Sequence, residues 1–305
     1  MKIHLLTGFF TIGIALLMSS CGDTPSSVSK ERIESYTSGS INIAADESFK
    51  PVMVQQVNVF DSSYPDAKLN VTYLSENECL QTLFDGKSSM VFVTRGLTES
   101  EKKACEQNNI YTKELALAKD GIVILVNNKS QDSRMTVGMV QAILNGEFAR
   151  KYKVVLDNQN GSVARYITDS ILGGKPFSEQ VFAVKNSEEV IDYVSKNEDA
   201  IGFVGMTNAF DPNSNVGYGS FRKEVQVVSI KNDSLDKFVL PYQASIALGD
   251  YPFIRRLYFI SRLESNLAAG FANFLTSTPG QKIIDKARMV PLATQLYIQE
   301  VEIKP

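Results

Sequence analysis

The chain has 305 residues, 44% of them apolar, which is enough to bury a sizeable core and, by length, to make about two domains. Its 31 basic and 34 acidic residues give a formal net charge of −3 with no long run of either sign, which argues against a nucleic-acid surface. The single histidine, His4, lies at the extreme amino end, so the rest of the chain lacks the usual general base, the Ser/His and Cys/His nucleophile pairs and the commonest metal ligand.

In chain order, Lys2, the apolar run "LLTGFFTIGIALLM" and the small residues "SSCGD" read as an export signal over residues 1–20. The run is too short for a convincing spanning helix, and no later segment approaches the roughly 20 apolar residues that spanning needs. Ser19, Ser20 and Cys21 resemble the lipobox of bacterial lipoproteins, with Met18 where such boxes usually have Leu. That resemblance implies cleavage before Cys21 and acylation of its thiol. The segment 21–39 is rich in Ser and charge and reads as a flexible tether, so the fold is expected to begin near Ser40. Two cysteines remain, Cys79 and Cys105, and an exported setting permits a bridge between them or two buried thiols.

Strand-like and helix-like runs then alternate: "SINIAAD", "FKPVMVQQVNVFDSSYP", "KLNVTYLS", "NECLQTLFDG" and "SSMVFVTRG", the rhythm of an α/β domain. Met53, Val57 and Phe60 share a helix face, with Pro51 tolerated in its first turn, and Leu69, Val71 and Tyr73 alternate along a strand. Capping-box spacing marks helix starts at Thr98 with Glu101, at Asn186 with Glu189 and at Thr278 with Gln281, the last with Pro279 at the first helical position. Further helices are expected over 136–145 and 162–172. Two extended apolar runs, "GIVILVNNK" and "KFVLPYQASIALG", bracket the middle segment and would serve as crossings between two lobes. The expected lobes are 40–118 with 245–305, and 119–244.

"DESFKP", from Asp46 to Pro51, and "NGSVARY", from Asn160 to Tyr166, are both helix starts whose unpaired amides suit a small anion. Gly161 permits close backbone approach, and Asn160 and Ser162 add side-chain donors. Taken singly, a serine before a helix is most often only a cap.

The order of "INIAADESFKPVMVQQVNVF", "YPDAKLNVTYLS", "SSMVFVTRGLTESE", "ILVNNKS" with "LNGE", "DNQNGSVARYI", "AIGFVGM" and "GFANFLTSTPGQKIIDKARMVP" resembles the phosphate-binding, PstS-like substrate-binding proteins of bacterial ABC importers, from about Ser40 to Arg288. The resemblance implies a periplasmic-binding-protein fold of the type II kind: two α/β lobes joined by hinge strands, closing on an oxyanion. It maps the family's binding positions onto Ser48, Phe49, Ser75, Thr94 with Arg95, and Asn160, Gly161 and Ser162. It also departs from the family in two places. Leu156 stands where an Arg is usual, and Arg95 stands where an Asp would accept a hydrogen bond from protonated phosphate. Arg95, with Arg165 second, is the candidate replacement for the lost charge. Asp46, Glu47 or Asp157 is the candidate acceptor.

The resemblance therefore implies a monomeric, lipid-anchored lipoprotein at the periplasmic or cell-surface side of a bacterial membrane. It would capture inorganic phosphate without a cofactor and deliver it to an ABC permease. Rival readings are a binder of sulfate or another tetrahedral oxyanion and a receptor lipoprotein that does not transport. An exported phosphate-ester hydrolase is a further rival, against which stands the lack of a nucleophile motif or a metal-spaced carboxylate cluster.

Overall fold

The computed structural model describes residues 34–211 and 220–292; the export signal, Cys21 and the tether as far as residue 33 lie outside the described residues. Thirteen strands are described: β1 (Gly39–Asp46), β2 (Ala67–Leu74), β3 (Met90–Val93), β4 (Thr112–Asn127), β5 (Arg134–Met135), β6 (Lys153–Leu156), β7 (Val181–Ala183), β8 (Ala200–Gly205), β9 (Val225–Val227), β10 (Ser229–Asn232), β11 (Lys237–Val239), β12 (Ile254–Arg262) and β13 (Val290–Pro291). The helices between them are α1 (Lys50–Ser63), α2 (Glu76–Phe84), α3 (Glu99–Gln107), α4 (Val137–Leu144), α5 (Ser162–Tyr166), α6 (Ser187–Lys196), α7 (Met206–Ala209), α8 (Gln243–Leu248), α9 (Asn266–Thr276) and α10 (Thr278–Lys286).

The main sheet runs β2-β1-β3-β12-β4-β8-β6-β7, and β4 is the strand its two halves share. From Thr112 to Gly121 it pairs antiparallel with β12, and from Ile122 to Val126 it pairs antiparallel with β8. The expected crossing at "GIVILVNNK" is therefore the far half of one long strand. The second expected crossing is corrected. "KFVLPYQASIALG" forms the edge strand β11 and then helix α8, which ends at Gly249 with φ of 83°, a left-handed cap that glycine adopts without strain. The chain returns through β12 instead.

One core lies under β1, β3 and β12, where Phe60 meets Phe271 edge-on at 5.0 Å between ring centroids. The other surrounds Ile122–Val126 of β4 with Val154, Val155, Ile201 and Phe203, covered by Val190 and Val194 of α6. Cys79 and Cys105 are both free thiols buried in a third cluster with Leu80, Leu83 and Ile260.

Side-chain caps explain where α3 and α6 begin, α3 with a full capping box and α6 with the Asn186 half of one. Thr98 Oγ1 accepts from the Glu101 amide at 3.2 Å while Glu101 accepts from the Thr98 amide at 2.7 Å, and Asn186 Oδ1 accepts from the Glu189 amide at 3.0 Å. At α10 the cap falls on Ser277 and Thr278 is already helical, so Pro279 takes the second position. Ordered contacts also begin before Ser40. Glu34 accepts from the Leu267 amide at 2.9 Å and from Ser265 Oγ at 2.8 Å, supplying an anion to the start of α9. Gly270 makes room for this segment, since a Cβ there would stand 1.8 Å from the Tyr36 carbonyl oxygen.

Candidate functional site

The carboxyl end of β1 delivers Asp46 into a buried position, where it caps the short 3₁₀ turn Glu47–Phe49 that leads into α1. Its Oδ1 accepts from the Ser48 amide at 3.1 Å and from Ser48 Oγ at 2.5 Å. The same carboxylate reaches the opposite half of the molecule, where Oδ1 accepts from Ser162 Oγ at 2.8 Å and Oδ2 from the Ser162 amide at 3.1 Å. Two helix starts, from the two halves of the sheet, thus share one anion. Ser48 and Ser162 are themselves within 3.2 Å, Oγ to Oγ.

A guanidinium closes this cluster from β12. Arg255 donates from Nη1 to Ser162 Oγ at 2.7 Å and from Nη2 to Ser48 Oγ at 3.1 Å, and its plane lies 4.8 Å over the Phe49 ring. Its Nε is held by Asp120 at 2.7 Å, the residue directly opposite it in the β4–β12 ladder, and Asp120 also accepts from the Met206 amide at 3.2 Å. Burial works against the Arg255 cation, but Asp120, Asp46 and Asp157 outweigh it and hold its pKa above the ordinary value. The Asp46 carboxyl is raised by burial, with Arg255 opposing.

A second donor group stands beside the first. Glu76 accepts from the Thr94 amide at 2.5 Å, from Thr94 Oγ1 at 2.7 Å and from Arg165 Nε, while Arg165 Nη2 donates to Thr94 Oγ1 at 2.6 Å. Burial pushes Glu76 upward, yet Arg165 and Thr94 bring it below the usual carboxylate value. A cavity beside Asp46 and Ser48 measures about 10 Å³ and is lined by these two with Glu47, Leu74, Ser75, Asp157, Asn158 and Gly161. That is room for one water at most. Asp157 is buried there with one oxygen held by Ser187 Oγ at 3.1 Å and the other, Oδ1, without a partner among the described residues. Burial, then the Asp46 charge, push its carboxyl up to about 7.

Set beside known proteins, residues 30–279 match the PBP superfamily domain, most of the chain. The chain belongs to the PBP superfamily. Among its superfamily relatives, the phosphate-binding protein PstS of Staphylococcus haemolyticus is 22% identical over 280 residues, covering 87% of this chain and 84% of that protein. A putative phosphate ABC transporter substrate-binding protein with bound phosphate from Clostridium perfringens superposes with a TM-score of 0.71 at 18% identity, covering 83% of this chain and all of that one. An ABC-type phosphate transport receptor from Vibrio cholerae gives 0.65 at 19% identity, with coverage of 83% and 100%. The two-lobed fold of this superfamily is the fold of the chain.

Within that fold the structure brings Ser48, Phe49, Gly161 and Ser162 together, with Ser75 on the cavity wall and Thr94 and Arg165 in the adjoining group. Ser75 opens α2 and donates its hydroxyl to Glu78 at 2.6 Å. Asn160 is exposed, its amide turned back to Asn158 Oδ1 at 2.8 Å, so its side chain does not line the cavity.

Arg95 is placed elsewhere. Its guanidinium forms a two-pronged pair with Glu101, at 2.7 and 2.9 Å, and so braces the start of α3. The guanidinium that does stand in the Ser48–Ser162 cluster is that of Arg255, which the sequence reading passed over. A signal was available in "FIRRLY" and "LAKDGIVIL", where an arginine and an aspartate of opposite charge each interrupt an apolar run.

Proposed function

We propose that the protein is an extracytoplasmic substrate-binding protein that captures inorganic phosphate between its lobes and hands it to an ABC importer, with no bond broken. The observation that carries this reading is the convergence of Ser48 and Ser162 on a single oxyanion, the Asp46 carboxylate, with Arg255 donating to both serine hydroxyls. A buried group that receives two amides and two hydroxyls, beside a guanidinium bound to those hydroxyls, marks a position suited to tetrahedral oxygens. Residues Ser48, Phe49, Ser75, Gly161 and Ser162 form the proposed ligand shell, with Arg255 as its cation and Thr94 and Arg165 at its edge. The unpartnered Oδ1 of Asp157 is the proposed acceptor for a ligand hydroxyl, which would favour hydrogen phosphate over sulfate. Lipid attachment at Cys21 and a monomeric state complete the proposal.

Isothermal titration of the purified protein with phosphate and with sulfate, repeated on Ser162→Ala, tests it. Phosphate-selective heat that weakens about tenfold in the variant is expected, given hydrogen bonds to charged groups of ~1.5 kcal/mol or more. Equal heats for the two anions would move the assignment to oxyanions in general. The occupied donors also favour a second reading, a receptor lipoprotein that holds this arrangement and does not transport.

A further inference from the structure

We infer that Asp46 is a built-in competitor for the ligand: its carboxylate fills the oxyanion position and ties the two lobes together, and an external oxyanion enters only by displacing it. The inference rests on the oxyanion-binding reading of the same residues. Four hydrogen bonds reach this one carboxylate, two from Ser48 on one lobe and two from Ser162 on the other. An N-cap needs only the first of them. The bonds to the Ser162 amide and hydroxyl span the chain from residue 46 to residue 162 and do nothing for the helix that Asp46 caps.

The space argument is independent. The cavity beside Asp46 is about 10 Å³, too small for a phosphate, so the ligand position and the carboxylate position coincide. Charge argues the same way. Asp120 binds Arg255 directly and Asp46 faces it through the Ser48 and Ser162 hydroxyls, so the buried cation is already paired from both sides. Adding a phosphate while Asp46 remains in place would put further negative charge beside the carboxylates that already pair with Arg255, whereas exchanging it for Asp46 keeps the donors satisfied. Glu76 holds Thr94 and Arg165 in the same manner and strengthens the tie between lobes. The consequence is a binding protein whose apparent affinity is set by an internal rival and whose closure does not wait for the ligand.

The test compares the protein with Asp46→Ser, which shortens the side chain and removes its charge but leaves a hydroxyl able to cap. Phosphate titration and small-angle X-ray scattering are run in phosphate-free buffer and at saturating phosphate. Asp46→Ser should bind phosphate at least about tenfold more tightly, the scale of losing one charge-assisted hydrogen bond or more. Its radius of gyration should be larger without anion and shrink on adding it, while that of the unaltered protein stays constant. Asp46→Asn, which keeps the shape and the acceptor for the Ser48 amide, should show the same changes in smaller measure and serves if the serine variant does not fold. An unaltered protein that contracts with phosphate as much as the variants do, or variants that bind phosphate but no more tightly than the unaltered protein does, would overturn the inference. Variants that open without Asp46 yet respond to neither phosphate nor sulfate would uphold the tie and sink the phosphate reading.

Discussion

At the scale of residues, the cluster owes its character to buried carboxylates facing one guanidinium, and Asp157 shows how such a group reports itself. Its folded pKa of about 7 lies above the value near 4 expected unfolded. The folded protein therefore holds a proton there that the unfolded chain has released, and this contribution to stability, full below about pH 4, is lost as pH rises to about 7. Asp157→Asn, neutral at every pH and still able to accept from Ser187, should remove that slope. Urea unfolding at pH 5 and pH 8 should find the variant gaining on the unaltered protein by up to ~3 kcal/mol at the higher pH, the linkage expected from a shift of this size. An equal difference at both pH values would show that Asp157 ionises normally. Ser48 and Ser162 were legible in the sequence because each stands at a local device, a helix start, that needs no distant partner to be recognised. Arg255 was not legible in that way. Its role comes from Asp120, far away in sequence and directly opposite in the ladder, while Arg95 had a local partner in Glu101 that the capping spacing already named.

Elements were readable where their signals were local. The amphipathic faces of α1 and α4 and the caps of α3 and α6 follow from sequence spacing, and the structure has them where expected. β12 is hidden in the sequence because Arg255, Arg256 and Arg262 break its alternation, and α8 reads as an extended run because a short apolar stretch does not declare its period. The docking of Glu34 on α9 was equally hidden, since residues 34–38 carry little apolar surface and are held by hydrogen bonds to a distant helix start. Gly270 gives a clean test. Gly270→Ala places a methyl where the Tyr36 carbonyl passes, so the segment must move away. A loss of about 1–3 kcal/mol is expected from such overpacking, with faster hydrogen exchange at the Leu267 amide that Glu34 now shields. Unchanged exchange there would mean that the segment does not cap the helix.

For the whole molecule, the decisive element is β4, which places Leu117 in one core and Ile124 in the other along a single unbroken strand. Neither half can unravel that strand without disturbing its neighbour. Phe271→Ala in the first core and Phe203→Ala in the second, both fully buried, should each lose about 3–5 kcal/mol. Scanning calorimetry should then show one transition moved down in either variant, and two resolved transitions would mean that the lobes melt independently. A last consequence belongs to the thiol of Cys79. It is fully buried on α2, one turn beyond Glu76, and burial together with the nearby Asp46 and Glu76 charges keeps it protonated and unreactive. Any thiol reagent must wait for the cluster of Ala44, Leu80, Leu83 and Val91 around it to open, so the rate at which Cys79 is modified is a clock for that opening. The native sequence carries its own stopwatch, with Cys105 in the same cluster as the reference hand.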